Sequence, residues 1–138
     1  MNPVKEIFES HPYKTHEKYF SANIAKCIEN CFECSSATWI CADACLSEPH
    51  SQKLIECIKL CFSCSQISHS TARLVSVQHN LSTIFVRQQA SACLEICKAC
   101  AIECEKYQHL YVYCKLCAQM CRECENACQY LLYQSKLQ

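Results

Sequence analysis

The sequence predicts an all-α protein: an antiparallel up-down-up-down four-helix bundle with a short N-terminal helix, forming a single domain over 1–138. Three observations predict this. The 138 residues contain three prolines and no glycine, and tight hairpin turns depend on glycine, so an all-β fold is disfavoured. Ala, Glu, Lys, Leu and Ile run through long segments unbroken by proline. The 17 cysteines fall into four groups, within which every gap is three, four or seven residues. At roughly 100° per residue, each group occupies a stripe about 60–80° wide on a helix, the seam that faces a bundle core.

The elements follow in order. Residues 3–10 read as a short amphipathic helix that ends near Pro12, and with its lead-in this segment occupies 1–14. The bundle spans 15–134. A long helix is predicted over 16–46, carrying Cys27, Cys31, Cys34, Cys41 and Cys45. Ser47-Glu48-Pro49 interrupts it, and Pro49 is placed near the first turn of the next helix, where a missing N–H costs nothing. That helix carries Cys57, Cys61 and Cys64 and fades near 75. The stretch 77–82 reads as a loop with Ser82 as N-cap. The third long helix, 83–106, carries Cys93, Cys97, Cys100 and Cys104; after a turn at 107–110, the fourth, 111–134, carries Cys114, Cys117, Cys121, Cys124 and Cys128. Thr38, Leu54, Ser68, Thr71, Val86, Ala90 and Leu131 fill stripe positions not held by cysteine.

Composition excludes several functions. Without glycine there is no phosphate-binding or dinucleotide-binding loop. Thirteen basic and thirteen acidic residues cancel, leaving no field to recruit nucleic acid or an anionic membrane. The longest apolar run, Leu110 to Cys114, is five residues, far short of a membrane span. The charged start Met1-Asn2-Pro3-Val4-Lys5 lacks a signal-peptide core, and an odd cysteine count leaves one thiol unpaired in any disulfide framework. Cytoplasmic localisation with reduced thiols is the expectation. Catalysis is not expected, because a thiol nucleophile needs an exposed, electropositive setting.

A core of thiols is therefore expected to bind metal. As plain packing, stacked small side chains fill space poorly beside Leu or Ile. Cysteines at i and i+4 of one helix point nearly parallel, which does not suit a disulfide. Four tetrathiolate zinc sites would bury a charge of about −8, since each carries about −2. Cu(I) is soft, monovalent and satisfied by two or three thiolates. With each thiolate bridging two ions, the ratio approaches one-to-one and the core is neutral. Multiple Cu(I) ions per chain are predicted. A zinc or iron–sulfur protein and a thiol-based redox sensor remain as alternatives.

Cys93-x3-Cys97-x2-Cys100-x3-Cys104, followed by Cys114-x2-Cys117-Ala118-x2-Cys121-x2-Cys124-x3-Cys128, resembles the bacterial copper storage proteins, four-helix-bundle copper-binding proteins. The resemblance covers about 15–134, and the absence of a signal peptide points to the cytosolic branch. It implies a homotetramer of bundles, each storing Cu(I) on cysteine thiolates to limit toxicity or to supply cuproenzymes. A copper chaperone or a cuproenzyme would be donor or recipient. All 17 cysteines match ligand-type positions, and His109 matches the family's histidines near the turn before the last helix. Tyr107, Tyr111 and Tyr113 stand where relatives are richer in histidine.

The alternating helix directions place the 46–49 and 107–110 turns at one end. Cys45, Cys104 and Cys114 approach that end, whereas Ser68, Thr71, Val86, Ala90 and Leu131 line the other. His50 and His109 belong to the thiol-rich end and are candidates to pass copper inward, since imidazole binds copper less deeply than a buried thiolate does. Met120, Trp39, Phe32 and Phe62 are expected to pack, and His11, His16, His69 and His79 are given no role.

Overall fold

The computed structural model describes residues 3–12 and 18–137. Residues 13–17, which hold the end of the predicted lead-in and the predicted start of the first bundle helix at 16, lie outside the described residues, as does His16. Five α-helices follow in chain order: α1 (Pro3–Glu9), α2 (Lys18–Leu46), α3 (Ile55–Ser76), α4 (Ile84–Glu105) and α5 (Val112–Leu137), and no strand occurs among the described residues. Helices α2 to α5 close a square, with α2 against α3 and α5, and α4 against α3 and α5. This is the antiparallel four-helix bundle with a short leading helix that the cysteine spacing predicts.

Two boundaries differ from expectation. Pro49 stands in the turn after α2 and not in a first helical turn; a 3-10 helix, Ser51–Leu54, intervenes before α3. There the Ser51 N–H donates to the Glu48 carbonyl at 3.2 Å and the Lys53 N–H to the His50 carbonyl at 3.0 Å, so a tight turn carries the chain across the bundle end. The N-cap of α4 is Thr83, not Ser82: its backbone is extended and its hydroxyl accepts from the Val86 N–H at 3.4 Å. The spacing alone could not separate two adjacent hydroxyl residues, either of which satisfies the free N–H groups of a first turn.

One register governs the interior. On α2 the inward positions are Ile24, Cys27, Cys31, Cys34, Thr38, Cys41 and Cys45; Leu54 of the 3-10 helix leads into those of α3, which are Cys57, Cys61, Cys64, Ser68, Thr71 and Val75. Steps of three and four residues hold throughout, and every one of these side chains is buried. Contacts across the bundle fix the levels: Cys34 Sγ lies 3.8 Å from that of Cys64 and 4.0 Å from those of Cys97 and Cys121. Carried about three turns towards the start of α2, the register brings Ile24, Val75, Val86 and Leu131 to one level. All four are buried, which closes that end with an apolar plug. Helix α1 lies beside it, with Phe8 buried and its carbonyl accepting from Gln78 Nε2 at 2.8 Å.

Small side chains set the spacing of α2 and α3. The Ser35 hydroxyl donates to the Ser65 carbonyl at 2.9 Å, and the Ser65 hydroxyl donates to the Ser35 carbonyl at 2.7 Å. This reciprocal pair needs the two backbones close together. On the other side, Arg122 of α5 clamps Glu105 of α4 with two hydrogen bonds of 2.9 Å and reaches Glu125 at 2.9 Å. The clamp is partly exposed and contributes modestly. Ser35→Leu is therefore expected to force α2 from α3 and lower stability by about 1–3 kcal/mol, read as a fall in the urea midpoint of the reduced, metal-free protein.

Candidate metal centre

All 17 cysteines are buried, none more than 1% exposed, and all are free thiols. Burial this complete on four helices follows from the register, since each cysteine occupies a seam position. The nearest sulfur pairs join different helices: Cys57 to Cys104 at 3.6 Å, Cys31 to Cys124 at 3.6 Å, Cys61 to Cys100 at 3.7 Å and Cys64 to Cys97 at 3.8 Å. A disulfide would need about 2.05 Å. These are thiol–thiol contacts, at separations one soft cation can bridge.

The sulfurs gather into overlapping groups whose ligand atoms all lie within 4.8 Å of one another. Near the 46–54 turn the group is Cys41, Cys45, Cys57 and Cys114, and below it Cys61, Cys100, Cys104 and Cys117. Further along come Cys34, Cys64 and Cys121, then Cys31, Cys93, Cys124 and Cys128. Cys41 and Cys57 belong also to a group with Cys61 and Cys104, so neighbouring groups share ligands. Shared thiolates suit a chain of bridged monovalent ions better than isolated tetrahedral sites.

Crowding also sorts the thiols. Hydrogen bonding, chiefly to Cys124, and burial push the Cys97 thiol well above the ordinary thiol range; Cys121, bonded chiefly to Cys100, is raised likewise. Cys57, bonded chiefly to Cys104, and Cys93, bonded chiefly to Cys124, are held well below it. The pattern is that of donors beside acceptors: a thiol that shares its proton favours a thiolate next door, and the column cannot ionise as a whole without cations.

Three hydroxyls stand in the column. Thr38, Ser68 and Thr71 each donate to the carbonyl four residues back, at 2.7, 2.6 and 2.7 Å. Their protons are committed to their own helices, so they fill space without competing for the sulfurs.

The copper storage protein family profile matches residues 20–133. The chain belongs to the copper storage protein family. The copper storage protein of Streptomyces lividans, in a structure loaded with 10 copper equivalents, superposes with a TM-score of 0.89 at 35% identity, covering 94% of this chain and 98% of that one. A second structure, of copper loading to the cytosolic copper storage protein from the same organism with five coppers, gives 0.78 at 39% identity over 80% of this chain and 92% of that one. An uncharacterized cysteine-rich protein of Bacillus subtilis, YhjQ, is 31% identical over 103 residues, which is 75% of this chain and 90% of the relative. Copper storage is thus the activity of the family, and the 17 buried, closely spaced thiols of this member fit Cu(I)–thiolate storage.

The two predicted histidines lie elsewhere than the thiols. His50 and His109 sit in the turns at the end near Cys45 and Cys114, both exposed. Tyr107, Tyr111 and Tyr113 pack, partly buried, against the core. Tyr111 and Tyr113 stack with ring centroids 5.3 Å apart, and the Tyr113 hydroxyl donates to Glu48 Oε2 at 2.6 Å. Burial, with that carboxylate, pushes the Tyr113 phenol up. Met120 packs half-buried on the core, and Trp39 meets Phe62 edge-on at 5.0 Å. No helix among the described residues is long and apolar enough to cross a membrane.

Because the thiols are free but buried, Ellman's reagent is expected to react slowly with the native reduced protein and to report 17 thiols once it is denatured. Fast reaction of many thiols in the native state would contradict the packing described.

Proposed function

We propose that this protein stores Cu(I) in the cytosol, with all 17 cysteines as ligands and no catalytic step. The observation that carries this reading is the continuous succession of sulfur groups along the bundle axis, each sharing ligands or close contacts with the next. Each thiol that loses its proton is matched by one Cu(I), so the filled core stays neutral however many ions enter. A tetrathiolate metal could not fill this column without accumulating negative charge. His50 and His109, exposed at the thiol-rich end, would receive copper and pass it beneath the tyrosines to Cys45 and Cys114. The family resemblance supports a homotetramer, and the exposed Trp39 and Ile40 supply an apolar face for such contacts. A copper chaperone or a cuproenzyme would supply or withdraw the metal.

Anaerobic titration of the reduced protein with Cu(I), against a chelator of known affinity, tests this. Capacity is expected on the order of 15–20 ions per chain, from near one-to-one bridging by thiolates. Saturation at one to four would overturn storage. Replacing His50 and His109 together by alanine should slow uptake severalfold and leave capacity nearly unchanged, as read by stopped-flow absorbance. Loading should release protons, because raised thiols such as Cys97 and Cys121 must ionise to bind. Copper should therefore be held less tightly as pH falls, measured as easier transfer to the chelator.

A further inference from the structure

Copper can reach the thiols only if the protein opens somewhere. In the group nearest the turns, Cys41, Cys45, Cys57 and Cys114, no residue is more than 1% exposed, so in the closed state an arriving ion meets no sulfur. The opposite end is plugged by Ile24, Val75, Val86 and Leu131, all buried. Packed helix interiors open rarely, whereas turns with few buried contacts open locally at lower cost. Entry is therefore decided where the two turns of the thiol-rich end meet.

Two side-chain hydrogen bonds cross between those turns. The Tyr113 hydroxyl, in the first turn of α5, donates to Glu48 Oε2 at 2.6 Å, and the Tyr107 hydroxyl, just after α4, donates to the Lys53 carbonyl at 3.3 Å. The receiving residues are themselves held by their turn: the Glu48 N–H donates to the Cys45 carbonyl at 3.2 Å and the Lys53 N–H to the His50 carbonyl at 3.0 Å. Glu48 lies three residues beyond Cys45, and Tyr113 one residue before Cys114. Tyr113 is within electrostatic range of Cys45 and Cys114, and Tyr107 of Cys57 and Cys114, so both phenols stand near the outermost sulfurs. Tyr111 stacks on Tyr113 and holds its ring in place. A hydrogen bond to a carboxylate is roughly twice as strong as a neutral one. The Tyr113 bond is of that kind and partly buried, whereas the Tyr107 bond is longer, neutral and exposed. Tyr113 and Glu48 thus carry most of the closure.

We infer that the Tyr113–Glu48 hydrogen bond is a latch on the metal column: copper enters and leaves when this bond breaks and the two turns part. The latch presupposes the storage reading and adds to it the residues that control access. Neither group is a ligand, since phenol and carboxylate oxygens are hard donors that suit Cu(I) poorly. They act by holding the turns together. A latch that touches no stored ion changes the rates in and out by the same factor and leaves affinity and capacity alone.

Two measurements on the reduced protein test this. The first uses no copper: iodoacetamide labelling of the metal-free protein is followed for each cysteine by mass spectrometry. Tyr113→Phe keeps the ring and loses only the hydroxyl. It is expected to speed labelling of Cys45 and Cys114 on the order of tenfold, the population shift that follows loss of one charge-assisted hydrogen bond. Cys27 and Cys128, near the plug, should be labelled at an unchanged rate. Glu48→Ala should act alike, and the double variant should be no faster than either single one, because both remove the same interaction. Equal acceleration at the two ends would mean general loosening, and no acceleration would mean that the bond restrains nothing; either result overturns the latch. In the second measurement, Cu(I) uptake and its removal by a chelator are followed by stopped-flow absorbance. Both rates should rise by a similar factor in Tyr113→Phe, at unchanged capacity. Slower uptake would make Tyr113 part of a ligand relay, and a change in one rate alone would make it a contributor to affinity; both outcomes refute the latch. Failure of the storage reading would appear separately, as a low capacity in the unaltered protein, and would leave the labelling result standing.

Discussion

Electroneutrality in a buried column is the constraint on which the rest of the structure depends. Thiols are tolerable in a protein interior only as neutral groups, and a thiolate there needs a cation at once. Buried thiols with nearest contacts of about 3.6–4.0 Å cannot ionise together, which is why neighbouring groups are driven apart, Cys97 up and Cys57 down. A monovalent soft ion resolves this with one proton exchanged for one ion. The helices make it possible, because a bundle seam can hold a long file of side chains at one radius without loops, and because its backbone hydrogen bonds are satisfied within each helix.

The same constraint explains what surrounds the sulfurs. A core built of cysteine is thinner than one of leucine, so the helices must come closer. Ser35 and Ser65 permit this on one side through their exchange of hydrogen bonds with each other's carbonyls. The hydroxyls of Thr38, Ser68 and Thr71 turn back onto their own helices, so that no polar proton within the column is left to compete with a metal. Larger residues gather at the ends, Leu54 and the tyrosines at one and the Ile24 plug at the other.

How much of this was legible in sequence follows from the range over which each feature is determined. The cysteines of all four helices were legible because a period of three and four residues is a local property that burial converts directly into position. The bundle and its alternating direction were legible from the same stripes and the short connections between them. The Thr83 cap and the 3-10 turn after Pro49 were not, since each depends on how the chain crosses a bundle end, where several hydroxyl or turn residues would serve. Asn30 escaped notice for a different reason. It lies one residue before Cys31 and beside the stripe, where an amide reads as an ordinary flank. Only the packing of α2 against α5 reveals that it is buried.

The taper of the column gives the molecule a direction. At the level of Cys34 all four helices present sulfur, through Cys64, Cys97 and Cys121. One step further along, Ser68 of α3 stands in place of a fourth thiol beside Cys31, Cys93 and Cys124; beyond that, Thr71 and Ala90 accompany Cys27 and Cys128. Then sulfur ends and the plug begins. Towards the other end, thiols persist to Cys45 and Cys114 at the turns. A cation moving by exchange between neighbouring sulfurs therefore meets the highest ligand density in the middle and upper column and fewer ligands near the plug. Two or three thiolates satisfy Cu(I), so the levels nearest the plug can still bind an ion but offer it fewer alternative partners.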